Sequence, residues 1–323
     1  MGLRIHFSPN DIARTTVADE PDPLWEVLLS LHLLQNRDGA VVFDRWRQQA
    51  RTSRQLPRLT ALAPPRGYSP DFLTPAEAAT GLEAGVAALV HTPKTRLRTE
   101  LNKLSTKRRL AGWGSDLADG HPKTLDELAV SLRGYYQDAI SPHWPTVRAA
   151  VATDRASRLN AIHTGGNQRL LATLHPKARW LAPILEIHGR HVTGDLYLNG
   201  RGLRIVPSYF CWRAPTVLED TTLPPVLVYP IDRQPAPTTT IHPNNSPLVA
   251  LVGATRTEVL IAADGCTTTD LAARVGISPA SASYHATILR NAGLLATKRV
   301  GSSVQHTRSD LGEALLHQAN PRP

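Results

Sequence analysis

The sequence predicts an α+β protein: a mostly helical N-terminal domain with a small antiparallel sheet, followed by a smaller C-terminal domain of helices and a β-hairpin. Three observations support this prediction. Apolar residues recur at helical spacing up to about residue 177, strand-like segments begin near Ile184, and closely spaced helix starts and stops fill the region after residue 247. The chain has 323 residues, more than one domain usually contains, which favours two domains.

The N-terminal helices are predicted from their starting residues and from apolar spacing. A short polar residue followed by proline, as in Asp22-Pro23, is typical of a helix start, and capping boxes are expected at Thr74 and Thr124. Apolar residues three and four positions apart share one face of a helix, and we expect them to line the core. Two such faces are Leu24, Val27, Leu28, Leu31 and Leu34, and Leu125, Leu128, Ala129 and Leu132.

Strands are predicted from Ile184 to Ile231. An Asn-Gly pair between alternating residues is a strong hairpin signal, so Asn199-Gly200 is expected to join two paired strands. We expect the resulting antiparallel sheet to pack on the helices through its aromatic residues. These residues are Trp180, Tyr197, Tyr209, Phe210, Trp212 and Tyr229.

A linker is predicted between the two domains. Residues 232–247 (DRQPAPTTTIHPNNSP) are rich in Pro, Thr and Asn and poor in apolar residues, as flexible connections are. The predicted N-terminal domain is therefore residues 1–231, for which we expect a regulatory or dimerisation role. The predicted C-terminal domain is residues 248–323.

The C-terminal domain contains a well-marked helix. Ser278 is a good N-cap, Pro279 suits the first helical turn, and Gly293 is expected to end the helix, which we place at residues 278–292. A narrow stripe of small and apolar residues would let this helix pack closely on a neighbour. The stripe consists of Ala282, Ala286 and Leu289.

The flanking segments complete a helix-turn-helix with a wing. Residues 267–275 (TTTDLAARV) predict a capped helix that ends at Gly276, and a tight turn leads from there into the next helix. Residues 295–299 and 304–307 predict short strands of a basic hairpin. We place the wing at residues 296–307.

The same residues carry a resemblance to a known family. From about Leu248 to Leu316, the order of helix (TRTEVLIAA), helix (TTTDLAARVGIS), recognition helix (ASYHATILRNAGLL), basic hairpin and closing helix (SDLGEALLHQ) resembles ArsR-type winged helix-turn-helix transcription regulators. The resemblance implies a homodimeric repressor that reads an inverted repeat in double-stranded DNA. The N-terminal region is similar to the extension of an actinobacterial subgroup, in stretches such as RIHFSPNDIART and GLRIVPSYFCW.

Two groups of residues are candidates for DNA contact. Short hydroxyls and amphipathic rings without carboxylates suit the major groove, whereas cations and hydroxyls near helix starts and the wing tip suit phosphates. Candidates for the groove are Ala280, Ser281, Ser283, Tyr284, His285 and Thr287. Candidates for phosphate contact are Thr267, Thr268, Arg290, Arg299, Ser302 and Ser303.

The charge distribution is compatible with this interpretation. The net charge of +9 and the pI of about 9.9 favour a polyanionic partner. Residues 94–110 carry seven basic side chains against Glu100, which predicts either a solvated helix face or an auxiliary contact to DNA. Residues 278–309 contain no acid, and their cations are Arg290, Lys298, Arg299 and Arg308.

Several classes of protein are disfavoured by the sequence. The polar N-terminus lacks the apolar run of a signal peptide and no segment reaches the length of a membrane span, so we expect a cytoplasmic protein without membrane contact. Two cysteines, Cys211 and Cys266, suit a reducing compartment. The chain has no P-loop, no dinucleotide-binding fingerprint and no nucleophile elbow, so we do not expect an enzyme.

Neither a metal nor a cofactor is expected. Cys266 stands alone where metal-sensing members of the family carry a cysteine-rich motif, and one thiol does not make a soft-metal site. Two further sets contain metal-ligating residue types without a convincing spacing. They are Asp310, Glu313 and His317, and His188, His191 and Cys211.

Two other functions stay open at this point. A sequence-tolerant architectural protein would use both the basic run and the winged helix, with binding that depends steeply on salt. An enzyme could instead use the winged helix for targeting, with chemistry in residues 1–231. If the protein is a regulator, a pocket near the aromatic residues of the sheet is the expected site for a small-molecule effector.

Overall fold

The computed structural model describes residues 2–36, 38–105, 112–188, 193–231, 247–300 and 303–319. The chain forms two compact units, Met1–Arg233 and Gln234–Pro323. It contains both helices and several small sheets, and the predicted α+β class is therefore correct. The predicted linker lies outside the described residues except for Pro247, which begins a helix.

Helices form most of the N-terminal unit. They are α1 (Pro9–Ala13), α2 (Pro23–Leu34), α3 (Ala40–Ala50), α4 (Leu56–Leu62), α5 (Leu82–Val90), α6 (Lys94–Ser105), α7 (Trp113–Ala118), α8 (Pro122–Tyr135) and α9 (Trp144–Ala172). Among the described residues, no helix combines the length and the apolar content needed to cross a bilayer.

The helix starts agree only in part with the sequence prediction. Asp22 caps α2 as expected, because its side chain accepts hydrogen bonds from the backbone N–H groups of Leu24 and Trp25. The capping boxes predicted at Thr74 and Thr124 are wrong, since Thr74 precedes a short 3-10 helix and Thr124 lies inside α8. Both sequence patterns match a capping box, but neither residue lies where an α-helix starts.

In the described part of the N-terminal unit, eight strands form two mixed sheets. The first sheet has the order β3-β4-β1-β5, and the second has the order β2-β6-β8-β7. The strands are β1 (Leu3–His6), β2 (Thr16–Val17), β3 (Ala178–Leu181), β4 (Ile184–Ile187), β5 (Gly194–Tyr197), β6 (Arg204–Ser208), β7 (Thr216–Val217) and β8 (Val226–Pro230).

The predicted antiparallel sheet and hairpin are wrong. Asn199 and Gly200 do form a tight turn, with φ of 52° and 80°. However, β5 before the turn pairs in parallel with β1, while β6 after it pairs in parallel with β2 and β8. The turn therefore passes the chain from one sheet to the other, because a local turn sequence does not determine which strands pair.

The second sheet separates two hydrophobic cores. Val206 and Val228 belong to the core formed with the helices α2 to α8. Ile205 and Leu227, on the opposite face, belong to the core formed with the first sheet and the end of α9. Alternate residues of these strands are thus buried on both faces, as is typical of parallel strands.

A buried carboxylate joins α2 to the end of β6. Glu26 is fully buried, and its oxygens accept hydrogen bonds from the Ser208 hydroxyl at 2.9 Å and from the backbone N–H groups of Tyr209 at 2.7 Å and Phe210 at 2.9 Å. These bonds fix the start of the loop that follows the strand. They satisfy donors that would otherwise be buried without a partner.

The C-terminal unit contains five helices and a three-stranded antiparallel sheet with the order β10-β11-β9 in its described part. Its core includes Leu260, Leu271, Ala286 and Leu289. The elements are α10 (Pro247–Val252), α11 (Ala254–Ala262), β9 (Asp264–Thr267), α12 (Thr268–Val275), α13 (Pro279–Asn291), β10 (Leu295–Val300), β11 (Ser303–Arg308) and α14 (Asp310–Ala319).

The helices and strands predicted for residues 267–300 and 304–307 are confirmed. Ser278 caps α13 through a hydrogen bond from the Ser281 N–H group, and Gly293 has a φ of 74° just beyond the end of this helix. Thr267 and Asp270 form the capping box of α12. The sequence prediction missed α10 and the third strand, β9.

Candidate nucleic-acid interface and an N-terminal cleft

The exposed face of α13 presents small polar groups around one aromatic ring. Ala280, Ser283, Tyr284 and Thr287 follow helical spacing and are all exposed, with Tyr284 at 62%. Among the described residues, the hydroxyls of Ser283, Tyr284 and Thr287 have no hydrogen-bond partner. These groups are therefore available to a ligand, and this face contains most of the predicted groove contacts.

The other two predicted groove residues are partly engaged within the unit. The Ser281 hydroxyl lies 2.9 Å from the Ser278 hydroxyl at the helix start. The His285 ring packs against Tyr284 with centroids 5.3 Å apart, and its Nδ1 atom is buried without a partner. We therefore expect His285 to orient Tyr284 rather than to contact DNA itself.

The β10–β11 hairpin carries exposed cations beside this helix. Lys298 pairs with Gln305 and Arg299 pairs with Val304, and both cations are exposed. Neither cation forms an ion pair within the described part of the chain. Because their charges are not neutralised internally, they are available to an anionic partner.

Two of the predicted phosphate contacts form hydrogen bonds within the unit. The Thr267 hydroxyl lies 2.7 Å from an Asp270 carboxylate oxygen in the capping box. The Thr268 hydroxyl lies 2.9 Å from Nε2 of His306 on β11. The first bond is local to the start of α12, and the second holds α12 against the hairpin, so both hydroxyls make internal contacts.

His306 links the hairpin to α12 and lies near the charge of Arg290 on α13. It is 5% exposed, and burial together with the nearby charge of Arg290 lowers its pKa. Arg290 itself is exposed on α13. A neutral His306 thus allows the Arg290 guanidinium to lie close to the hairpin without a second positive charge beside it.

Not every cation near the hairpin is available. Arg308 donates from Nε to the Glu313 carboxylate at 2.6 Å and from Nη1 to the carbonyl of Ile261 at 2.7 Å. Its side chain is also only 17% exposed. Arg308 therefore holds α14 and α11 to β11 and contributes little to the exposed surface.

The basic run at 94–110 is largely neutralised where it is described. Lys94 and Arg98 both pair with Asp119, and Arg96 pairs with Glu100. This pattern favours the interpretation of a solvated helix face over an auxiliary DNA contact. Residues 106–110 lie outside the described residues.

Some predicted site residues cannot be placed. Ser302 and His191 lie outside the described residues, and Ser303 is described only as the first residue of β11. Within the described ranges, no group of three or more His, Cys, Asp or Glu side chains is arranged to hold a metal ion. The Cys266 thiol donates to the carbonyl of Ala262 at 3.4 Å.

The N-terminal unit contains a cleft of about 830 Å³. Its walls come from α2, from the loop around residues 65–74 and from the loop around residues 210–217. Phe210 and Trp212, which the sequence assigned to the aromatic surface of the sheet, both line it. The sequence predicts a pocket near these aromatic residues, whereas the other walls are distant in sequence and follow from no local pattern.

Asp71 in the cleft wall has an unusual carboxyl group. Burial raises its pKa to about 6 from an ordinary value of 3.8, and the carboxylates of Glu100 and Glu219 add to the effect. Its Oδ2 atom accepts hydrogen bonds from the backbone N–H groups of Glu219 at 3.0 Å and Asp220 at 2.7 Å, which limits the rise. The charged form is therefore less favourable in the folded protein than in the unfolded chain.

Replacing Asp71 with asparagine should stabilise the protein at neutral pH. Because the pKa of Asp71 is raised in the folded protein, its ionised carboxylate destabilises the fold above pH 6, and this cost disappears as the pH falls from 6 to 3.8 and the group is protonated. An asparagine amide is neutral at every pH and has no such cost. The free energy of unfolding at pH 7 should rise by roughly 1–3 kcal/mol, and the difference should vanish near pH 4. Urea unfolding at pH 7, 6, 5 and 4 measures this dependence.

A matched control is Asp119→Asn, which removes an exposed carboxylate whose pKa is lowered by hydrogen bonds from Arg98 and Lys94. That variant should not gain stability at any pH in this range. If Asp71→Asn also gains no stability, the conclusion that burial makes the ionised Asp71 carboxylate unfavourable is wrong.

Comparisons of the chain with models of protein families, with curated proteins and with solved structures found no match.

Proposed function

We propose that the protein is a sequence-specific regulator of transcription that binds double-stranded DNA through its C-terminal unit. In this proposal the unit is a winged helix-turn-helix, with α12 and α13 as the helix pair and the β10–β11 hairpin as the wing. The observation that carries the proposal is the exposed face of α13. Among the described residues, the hydroxyls of Ser283, Tyr284 and Thr287 on this face have no hydrogen-bond partner, and no carboxylate lies between them. A recognition helix in the major groove presents side chains of this kind to base edges.

The separation of charge within the unit supports this orientation. Between residues 278 and 307 the chain carries Arg290, Lys298 and Arg299 and no acid. The carboxylates lie on other elements, such as Glu258 on α11 and Asp310 on α14. A phosphate backbone would therefore meet the cationic side of the unit.

We further propose that the protein acts as a homodimer, because an inverted repeat has two-fold symmetry and is matched by a two-fold symmetric protein. Exposed apolar side chains support this part of the proposal. Leu251 on α10 is 72% exposed, and Leu311 on α14 is 58% exposed. These two helices pack on each other, so both residues lie on neighbouring elements.

The test is selection of DNA by the full-length protein. Genomic fragments retained at physiological salt should share a short inverted repeat, and affinity for that repeat should exceed affinity for random DNA by about 10³-fold or more. Uniform recovery of all fragments would support an architectural protein instead. Recovery of no DNA would refute the proposal.

Two alanine substitutions should separate base reading from phosphate contact. Tyr284→Ala should weaken binding to the selected repeat by about 10-fold or more and relax its sequence preference, because a groove contact is lost. Arg299→Ala should weaken binding to all DNA sequences by a similar factor. It should also reduce the slope of log affinity against log salt concentration by about one. Both effects can be measured by fluorescence anisotropy over a series of salt concentrations.

The control is Val130→Ala, which removes a similarly exposed side chain (61%) from α8 in the N-terminal unit. It should leave both affinity and preference unchanged. Equal behaviour of Tyr284→Ala and this control would show that α13 does not read DNA.

A further inference from the structure

The N-terminal cleft has the size and the walls of a small-molecule site. Its volume of about 830 Å³ lies within the range of roughly 300–1,000 Å³ that is typical of ligand pockets. Trp25, Leu28 and Leu29 of α2 form one side, and Phe210 and Trp212 form part of another. An apolar molecule with a flat ring system could contact both walls.

The aromatic wall is held in place by its surroundings. Glu26 fixes the backbone of Phe210 by a hydrogen bond, and the Ser208 hydroxyl accepts a hydrogen bond from the Cys211 N–H group at 3.0 Å. The Trp212 ring packs edge-on against Phe43, with centroids 5.5 Å apart. A wall fixed in this way needs little ordering when a ligand binds, which favours affinity.

The loop beyond Trp212 has an uncommon backbone conformation. Arg213 has a φ of 69°, in the left-handed region that few residues other than glycine adopt. Its guanidinium forms an ion pair with Asp38, which also lines the cleft. Such conformations persist where the surrounding structure enforces them, often at binding sites.

Most of the charged groups that line the cleft form ion pairs or hydrogen bonds within the protein. Lys103 pairs with Glu219 and also lies over the Tyr68 ring, 4.7 Å from its centroid. Asp71 accepts two backbone hydrogen bonds, as described above. Arg66 and Lys177 are exposed, where water screens their charges.

The polar groups on the α2 side are neutral. Burial lowers the pKa of His32 to about 4, so its ring is uncharged at physiological pH. The His32 Nε2 atom lies 2.9 Å from the Ser69 hydroxyl, which keeps capacity for a further hydrogen bond. This wall therefore offers a hydrogen bond without a charge.

From this arrangement we infer that the cleft binds an uncharged, flat aromatic molecule, with its rings between α2 and Trp212 and one polar group on Ser69. An anionic ligand would find only Arg66 and Lys177, whose exposed charges are screened by water, and a cationic ligand would have to displace an internal ion pair. A neutral ligand needs no counter-charge. Binding itself does not depend on the proposed DNA function. Only a role as an effector of DNA binding rests on that function.

The test uses two fluorescent probes with the same ring system. N-phenyl-1-naphthylamine is neutral, and 1-anilinonaphthalene-8-sulfonate adds one negative charge. Titration of the full-length protein should give saturable binding of the neutral probe at one site per chain. Its affinity should exceed that of the sulfonate by about 10-fold or more.

Two substitutions locate the probe. Ala214→Trp places a large ring in the cleft wall and should weaken binding by about 10-fold or more, since it fills the space. Ser69→Ala removes the polar anchor with little change in volume and should weaken binding by roughly 3- to 10-fold. Ala87→Trp, on the exposed side of α5, is the matched control and should leave binding unchanged.

Each outcome decides the inference. If the sulfonate binds more tightly than the neutral probe, the ligand class is wrong. If neither probe saturates at one site, or if Ser69→Ala and a folded Ala214→Trp both bind as the wild type does, the cleft is not the site. Because no DNA is present, these results are independent of the DNA-selection experiment. Should Ala214→Trp fail to fold by circular dichroism, Ser69→Ala alone decides the location.

Discussion

Reversing the charges of Lys298 and Arg299 together should lower DNA affinity by about 100-fold or more at physiological salt. Both cations are exposed on the hairpin and neither is neutralised by an ion pair among the described residues. Glutamate at each position would replace attraction to a phosphate with repulsion. The slope of log affinity against log salt should also fall by about 2. Anisotropy titrations with the selected DNA at several salt concentrations measure both quantities.

The control reverses two exposed cations in the N-terminal unit, Arg51 and Lys123, and so changes the net charge equally. If binding depends only on net charge, both double variants should weaken it to the same extent. If the hairpin contacts DNA specifically, the control variant should bind DNA with nearly the affinity of the wild type. Equal losses would contradict our placement of the phosphate contacts.

Replacing Glu26 with alanine should destabilise the N-terminal unit by about 3–5 kcal/mol. The substitution leaves the Ser208 hydroxyl and two backbone N–H groups buried without an acceptor, and it also opens a void beside α2. Urea unfolding of the full-length protein, followed by tryptophan fluorescence, should show a transition at lower denaturant.

Two further variants make this prediction specific. Glu26→Gln keeps one acceptor oxygen and should lose less stability than the alanine variant. Glu83→Ala removes an exposed carboxylate that pairs with Arg133, and it should cost under about 1 kcal/mol. A loss below about 1 kcal/mol for Glu26→Ala would mean that water replaces the carboxylate and that the bonds contribute little.

The C-terminal elements were predictable because their signals are local. Ser278, Pro279 and Gly293 act on the backbone within a few residues of themselves, so their effect does not depend on the rest of the fold. The exposed face of α13 followed from helical spacing alone. The elements of residues 267–307 were therefore placed correctly from sequence.

The sheets were not predictable in the same way. Leu3 and Ile5 alternate with exposed residues in β1, yet the segment is short and polar overall and was assigned to the helical region. Its partners lie near residues 187 and 194, far along the chain. Strand pairing over such a distance depends on the whole fold. A local turn sequence such as Asn199-Gly200 does not indicate which strands will pair.

The sequence does not distinguish two roles of a threonine hydroxyl, for a chemical reason. A hydroxyl that caps a helix and a hydroxyl that contacts a phosphate are the same group at the same kind of position. Thr267 and Thr268 therefore fitted a phosphate contact from sequence, although their hydroxyls bond to Asp270 and His306. Only the tertiary structure distinguishes these roles.

The position of β1 has a consequence for how the N-terminal unit folds. Its residues pair with residues 184–187 on one side and with residues 194–197 on the other. Forming the first sheet therefore brings together segments that are separated by most of the N-terminal unit. Contacts between residues so distant in sequence slow folding, because the entropy of loop closure is lost before the contacts form. During synthesis, the helices can collapse early, but the sheet must wait until the ribosome has passed residue 197. A fragment truncated before that point should expose the apolar side of β1 and aggregate.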